Sequence, residues 1–134
     1  MIDVGQDERV LRITLNRPER RNALTPDMCA AIVQAVERAE QDDSIGAILL
    51  EAKGEVFCSG MDLEDASTLD GAQATEVHER LFTMGSRVAK PIVAAVMGPA
   101  LGGGLGLLAN AHVVVAAQGS TFGLTEIRVG MWPF

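Results

Sequence analysis

Across 134 residues, 48% hydrophobic and 22% charged side chains supply enough apolar sequence for one packed domain and exclude a disordered acidic tail. A formal net charge of −7 speaks against a broad nucleic-acid surface, which needs clustered Lys and Arg, although one or two cations and backbone N–H groups can still hold a phosphate. With no Tyr, one Trp and four Phe, the core must rest on Ala, Val, Leu and Ile, which favours an α/β protein.

Val10–Leu15 alternates around Arg12 and Thr14 and predicts a strand with one face more exposed than the other. A polar connection from Asn16 to Asn22 follows. It carries the only dense basic patch, Arg17, Arg20 and Arg21, which taken alone reads as a solvated turn. Thr25-Pro26-Asp27 then starts a helix: the hydroxyl can cap, proline is tolerated in the first turn, and aspartate meets the positive helix end. Ile32, Ala35, Val36 and Ala39 recur on one face to about Asp42, so this helix should cover a sheet.

Ile45–Glu51 holds the run Ile48–Leu50, which predicts a strand buried on both faces. The small residues of Gly54–Asp62 follow it, where α/β sheets often carry their chemistry. Glu64 and Asp65 suit a helix start, and Asp70-Gly71 a turn. Ala74, Val77, Leu81, Met84 and Val88 then predict a helix ending near Arg87–Lys90, before Pro91. His78, beside that stripe, reads as a packed or solvent-facing residue, since no neighbour in sequence orients it as a base.

Ile92–Met97 predicts a short strand, Gly98–Ala109 a glycine-rich turn and a compact apolar helix, His112–Ala117 a strand, and Thr121–Gly123 a further short one. Alternating strands and helices imply right-handed crossovers in a layered α/β core. The chain closes on Ile127, Val129, Met131, Trp132, Pro133 and Phe134. An apolar ending predicts either a piece of a longer chain or a terminus covered by a second chain.

Three consecutive glycines, Gly102 to Gly104, need a reason, because each loses more backbone entropy on folding than any other residue. Two readings stand: a tight turn with close helix packing, or backbone N–H groups that must approach a ligand. No G-K-S/T follows, and the third glycine of a dinucleotide fingerprint is missing at Leu107, so a nucleotide-phosphate loop has little support. Two backbone N–H groups from the loops around Met61 and Gly103 could instead serve a thioester oxygen that gains negative charge. Glu126, after a short strand, is either a surface carboxylate or a base in a cleft. Asp62, Glu64 and Asp65 lack the spacing of a zinc or EF-hand site, and no metal is expected. Cys29 and Cys58 form no C-x-x-C pair. With no leader or membrane-length apolar run, this suggests a reducing, cytoplasmic location and no membrane anchor.

In order along the chain, three segments resemble the signatures of the enoyl-CoA hydratase/isomerase (crotonase) family. The first is Leu15-Asn16-Arg17-Pro18-Glu19 with Asn22-Ala23-Leu24; the second is Phe57-Cys58-Ser59-Gly60-Met61-Asp62-Leu63. The third runs from Lys90-Pro91 through Ala94-Ala95-Val96, Gly98, Ala100-Leu101 and the glycines to Phe122-Gly123, Glu126-Ile127 and Gly130. The resemblance implies that residues 1–134 form the N-terminal portion of a crotonase-like ββα spiral core, stopping before the C-terminal helices. It also implies an enzyme that stabilises a thioester enolate.

By that resemblance, the N–H groups of Met61 and Gly103 form an oxyanion hole and Glu126 transfers the proton. Asn22, Ala23 and Leu24 line the CoA approach, while Ser59, Gly60, Asp62, Leu63, Glu64, Gly102 and Gly104 meet the substrate. Arg17 and Arg21 reach the CoA phosphates. The substrate is an acyl-CoA or enoyl-CoA thioester, so coenzyme A arrives with it and no separate cofactor is expected; a homotrimer or hexamer is the implied assembly. Hydratases of the family carry a second glutamate where this chain has Gly106. That departure favours isomerase-like chemistry on Glu126 alone. Hydration with other water-orienting groups, and a non-catalytic acyl-CoA-binding or structural subunit, remain as alternatives.

Overall fold

The computed structural model describes residues 1–64 and 71–130, apart from the side chains of residues 71–74 and 129. Expectations for Asp65, Asp70, the Ala74 side chain and residues 131–134 lie outside the described residues.

Strands β1 (Ile2–Asp7) and β2 (Val10–Leu15) form an antiparallel hairpin, and β2 pairs in parallel with β3 (Ala47–Ala52). Beyond β3 come β4 (Ile92–Val96) and β6 (Val113–Ala116), also parallel, in the order β1-β2-β3-β4-β6, while β5 (Ala100–Leu101) belongs to a separate two-stranded sheet. The β1 strand was not expected from the sequence. Asp3, Gly5 and Gln6 interrupt its apolar signal, and its pairing comes from the backbone ladder with β2.

Helix α1 (Pro26–Gln41) starts as expected, with the Thr25 hydroxyl accepting from the Met28 N–H at 3.2 Å. Its face of Met28, Ile32, Ala35, Val36 and Ala39 is buried together with Ile13, Leu15, Ile48, Leu50, Ile92, Ala94 and Val96. Those strand residues recur at period two, so one sheet face carries the core. Burial of each large aliphatic side chain contributes roughly 1.5–3 kcal/mol. Leu49 and Val93, on the other face, are only partly covered, which corrects the expectation that the third strand is buried on both sides.

The helix expected to reach Arg87 breaks at Thr83 into α2 (Gly71–Phe82) and α3 (Met84–Arg87). Tertiary contacts hold α3 just beyond the break. Gly85 lies so close to Asn110 that a Cβ would sit 2.3 Å from its carbonyl oxygen, and the Gly85 carbonyl lies 2.9 Å from His112 Nε2. His112 Nδ1 accepts from the Ile92 N–H, so this imidazole clamps α3 to the sheet. Helix α4 (Gly103–Ala109) follows the glycines, and the two-residue β5 pairs in parallel with β7 (Phe122–Gly123). All four β6 residues are exposed. No helix among the described residues is long and apolar enough to cross a membrane.

Candidate active site

The loop after β3 is held from two sides. Phe57 and Cys58 are fully buried, the Cys58 N–H donates to the Pro99 carbonyl at 3.2 Å, and the Cys58 carbonyl accepts from the Leu101 N–H at 2.9 Å. On the opposite side, the Leu24 N–H donates to the Gly60 carbonyl and the Asp62 N–H to the Leu24 carbonyl, both at 2.8 Å. Successive N–H groups of an extended segment point to opposite sides. Pairing Leu24 with Met61 in this way therefore turns the Met61 N–H away from Leu24.

Gly102 adopts φ 52° and ψ −125°, a region closed to residues with a Cβ, and donates its N–H to the Gly123 carbonyl at 2.8 Å. Its turn starts α4, whose first N–H groups have no acceptor within the helix. Neither the Met61 nor the Gly103 N–H donates to a backbone group among the described residues. The two loops meet closely: a Cβ on Gly103 would lie 3.6 Å from the Met61 nitrogen and 3.3 Å from its Sδ.

The three glycines prove to have three separate reasons. Gly102 needs its backbone angles, and Gly103 presents its N–H beside Met61. Gly104 is buried against Cys58, where a Cβ would stand 2.6 Å from the Cys58 carbonyl oxygen. The tight turn and the close packing read from the sequence thus hold at Gly102 and Gly104.

Glu126 opens a 3-10 turn, Glu126–Val129, directly after β7. Its Oε1 lies 3.0 Å from the place of a Cβ on Gly102, and its Oε2 is buried with no hydrogen-bond partner among the described residues. Buried polar atoms are nearly always bonded, so an orphaned carboxylate oxygen in a cleft asks for a ligand. Glu126 is therefore not the surface carboxylate that the sequence also allowed.

A cavity of about 360 Å³ unites these groups. Ser59, Gly60, Met61 and Leu63 line one part, Gly102, Gly103 and Gly106 another, and Glu126 a third. Phe82, Ala109, Asn110, Leu124 and Thr125 also line it and were not singled out in the sequence. Only the spacing of Leu124 and Thr125 from Glu126 could have suggested two of them.

Other expected site residues lie elsewhere. Asn22 is fully buried: its Oδ1 accepts from the Arg17 N–H, and its Nδ2 donates to the Lys53 and Val56 carbonyls, all at 2.8 Å. Leu24 is also fully buried, and Ala23 is half-buried outside the cavity. These residues hold the Met61 loop, and the side chains of Asn22 and Leu24 offer no surface to a ligand. Asp62, 5% exposed, pairs with Arg17 Nη1 at 2.6 Å and Arg20 Nη2 at 3.5 Å, while Glu64 pairs with Arg20 at 2.6 Å. The Arg17 hydrogen bond holds the Asp62 carboxyl below the usual aspartate range.

Arg17 is thus engaged with a carboxylate, which corrects its reading as part of a merely solvated turn. Arg21 is exposed, and its carbonyl accepts from the Ser59 N–H at 3.1 Å, which sets it beside the cavity rim. His78 is partly buried with its ring 6.3 Å from that of Phe82, and burial lowers its pKa. Burial likewise pushes the Cys29 and Cys58 thiols up to about 12, so neither is a nucleophile near neutral pH. Among the described residues, no cluster of three or more His, Cys, Asp or Glu is placed to hold a metal.

Comparison with known proteins bears on this site. The sequence profile of the enoyl-CoA hydratase/isomerase family matches residues 5–134. An enoyl-CoA hydratase of Mycobacterium tuberculosis is 37% identical over 98% of this chain and 54% of its own length. A 2,3-dehydroadipyl-CoA hydratase of Escherichia coli is 37% identical over 97% of this chain and 51% of its own. Among solved structures, an enoyl-CoA hydratase/isomerase of Pseudoalteromonas atlantica superposes with a TM-score of 0.87 at 37% identity, covering 98% of this chain and 52% of that one. The chain therefore spans about half the length of the relatives it matches.

Proposed function

Because the chain belongs to the enoyl-CoA hydratase/isomerase family, we propose that its cavity binds an acyl-CoA thioester and moves a proton through Glu126 while Met61 and Gly103 stabilise the enolate. The orphaned, buried Glu126 Oε2 carries this reading. A carboxylate oxygen with no partner among the described residues can accept a proton from the carbon next to a thioester carbonyl. As that proton leaves, charge moves to the thioester oxygen, where the Met61 and Gly103 N–H groups, bonded to no backbone group among the described residues, can donate to it. One such donor is worth about 2.7–4 kcal/mol of barrier in enzymes where it has been removed.

Among the described residues lining the cavity, Glu126 is the one carboxylate. This supports isomerase-like use: Glu126 takes a proton from C2 of a 3-enoyl thioester and returns it to C4, leaving the double bond at C2. The step balances without a cofactor or metal, and coenzyme A enters with the substrate. Arg21, at the rim, suits a CoA phosphate better than Arg17, whose guanidinium already faces Asp62. A trimer or hexamer belongs to the same proposal and rests on the family resemblance alone. Hydration is the second reading, favoured by the hydratase names of the relatives; Ser59 or Thr125 would then have to orient the water.

Exchange of the C2 protons of butanoyl-CoA in deuterated water, followed by mass spectrometry, tests the proposal. Glu126→Gln should slow exchange by about 10²–10⁴-fold, the usual contribution of a positioned acid-base group. Exchange at the unaltered rate would remove Glu126 from the mechanism.

A further inference from the structure

Phe82 lies outside the apolar stripe read from the sequence, yet it shapes the cavity. It ends α2, and its ring stands over Gly106: a Cβ there would lie 2.7 Å from Phe82 Cε1 and 3.0 Å from Cδ1. Real Cβ atoms do not approach so closely, so any side chain at 106 and the ring in this position exclude one another. Gly103 and Gly106 are three residues apart on α4 and share a helix face. Glu126 sits beside Gly102 at the start of that face, and the ring covers a point about 6 Å further along the axis.

We propose that Phe82 is a specificity-determining residue: its ring makes this wall of the cavity apolar, selects acyl carbons beyond C2 and keeps water from them. The inference rests on the acyl-CoA reading above. One buried neighbour and two hydrogen bonds hold the ring's seat. Leu81, next to Phe82, is fully buried, Asn110 Nδ2 donates to the Gly106 carbonyl at 3.1 Å, and Asn110 Oδ1 accepts from the Gly85 N–H at 3.4 Å. Asn110 thereby ties α4 to the start of α3, just beyond Phe82. A phenyl ring offers no lone pair to orient water or to take its proton. With Leu63, Ala109 and Leu124 also lining the cavity, the apolar wall favours return of a proton held by Glu126 to carbon over addition of water at C3, even though Ser59, Asn110 and Thr125 line it elsewhere. Atoms balance in that course: a C2–H bond breaks, a C4–H bond forms and the double bond shifts by one carbon.

The test uses the full-length protein with Phe82→Ala, Phe82→Leu, Gly106→Ala and the Phe82→Ala/Gly106→Ala pair. Calorimetry gives the ratio of hexanoyl-CoA to acetyl-CoA affinity, and chromatography gives the fraction of 2-hexenoyl-CoA converted to the 3-hydroxyacyl product. Phe82→Ala should lower the affinity ratio about tenfold, within the range set by small changes in an apolar pocket, and raise the hydrated fraction. Phe82→Leu should fall between, and it decides the matter if the alanine variant does not fold. Gly106→Ala should disturb the ratio alone, because its Cβ displaces the ring, but add nothing once the ring is gone. An unchanged ratio and an unchanged hydrated fraction in folded Phe82 variants would overturn the role of Phe82 and leave the acyl-CoA reading standing. Failure of the unaltered protein to bind either thioester would overturn both.

Discussion

Replacing Asn22 with alanine removes three hydrogen bonds of 2.8 Å from a fully buried side chain. The Arg17 N–H and the Lys53 and Val56 carbonyls lose their partner, at about 1–3 kcal/mol for each group left unsatisfied. Alanine must also hold φ 52°, a left-handed angle that asparagine tolerates and that costs other L-residues about 1–2 kcal/mol. Lys53 is exposed and Val56 half-buried, so water can recover part of the loss. The net expectation is a destabilisation of about 3–6 kcal/mol, a large share of the 5–15 kcal/mol that holds a typical domain. Urea unfolding followed by circular dichroism should show the midpoint falling by about 2 M, for an ordinary dependence of 1–3 kcal/mol per molar. Asn22→Gly separates the causes: it loses the same bonds without the backbone strain and should be about 1 kcal/mol more stable than the alanine variant. An alanine variant within about 1 kcal/mol of the parent would refute the assignment of Asn22 as the clamp of this loop.

Gly104→Ala places a Cβ 2.6 Å from the Cys58 carbonyl oxygen and 2.7 Å from the Cys58 Cβ. Overpacking of that kind costs about 1–3 kcal/mol and should lower the urea midpoint accordingly; an unshifted midpoint would show that the Cys58 loop yields freely. Asp62 has its carboxyl held below the ordinary value of 3.8, chiefly by the hydrogen bond from Arg17. Its ionised form is therefore favoured in the folded state, and the stability it contributes is present above about pH 3.8 and lost as pH falls through the lower folded value. Unfolding curves of Asp62→Asn and the parent, taken from about pH 6 down to about pH 2, should differ most at the upper end and converge at the lower; a constant gap would rule out Asp62 as a source of acid sensitivity.

Local sequence determined much of this protein. Thr25-Pro26-Asp27 starts α1 because its cap, its proline and its charge all act within one turn, and the alternation of β2 around Arg12 and Thr14 names its buried face without reference to any partner. Strand β4, by contrast, is apolar at every position, and only the fold decides which side faces the core. The tight turn at Gly102 was legible as well, since consecutive glycines after a strand mark a backbone that side chains would obstruct. What the sequence left open depends on contacts between distant segments. The β1 strand is visible only in its ladder with β2, and the short α3 is visible only where Gly85 meets Asn110. Asn22 reads from its family motif as a ligand contact, but three hydrogen bonds across the fold make it a buried clamp. Gly106 reads as a missing carboxylate, and only packing shows that Phe82 holds the space. Patterns of a few residues encode elements, because caps and periodicity act locally. The lining of a cavity is decided by side chains brought together over tens of residues, and no local pattern records which of them will meet.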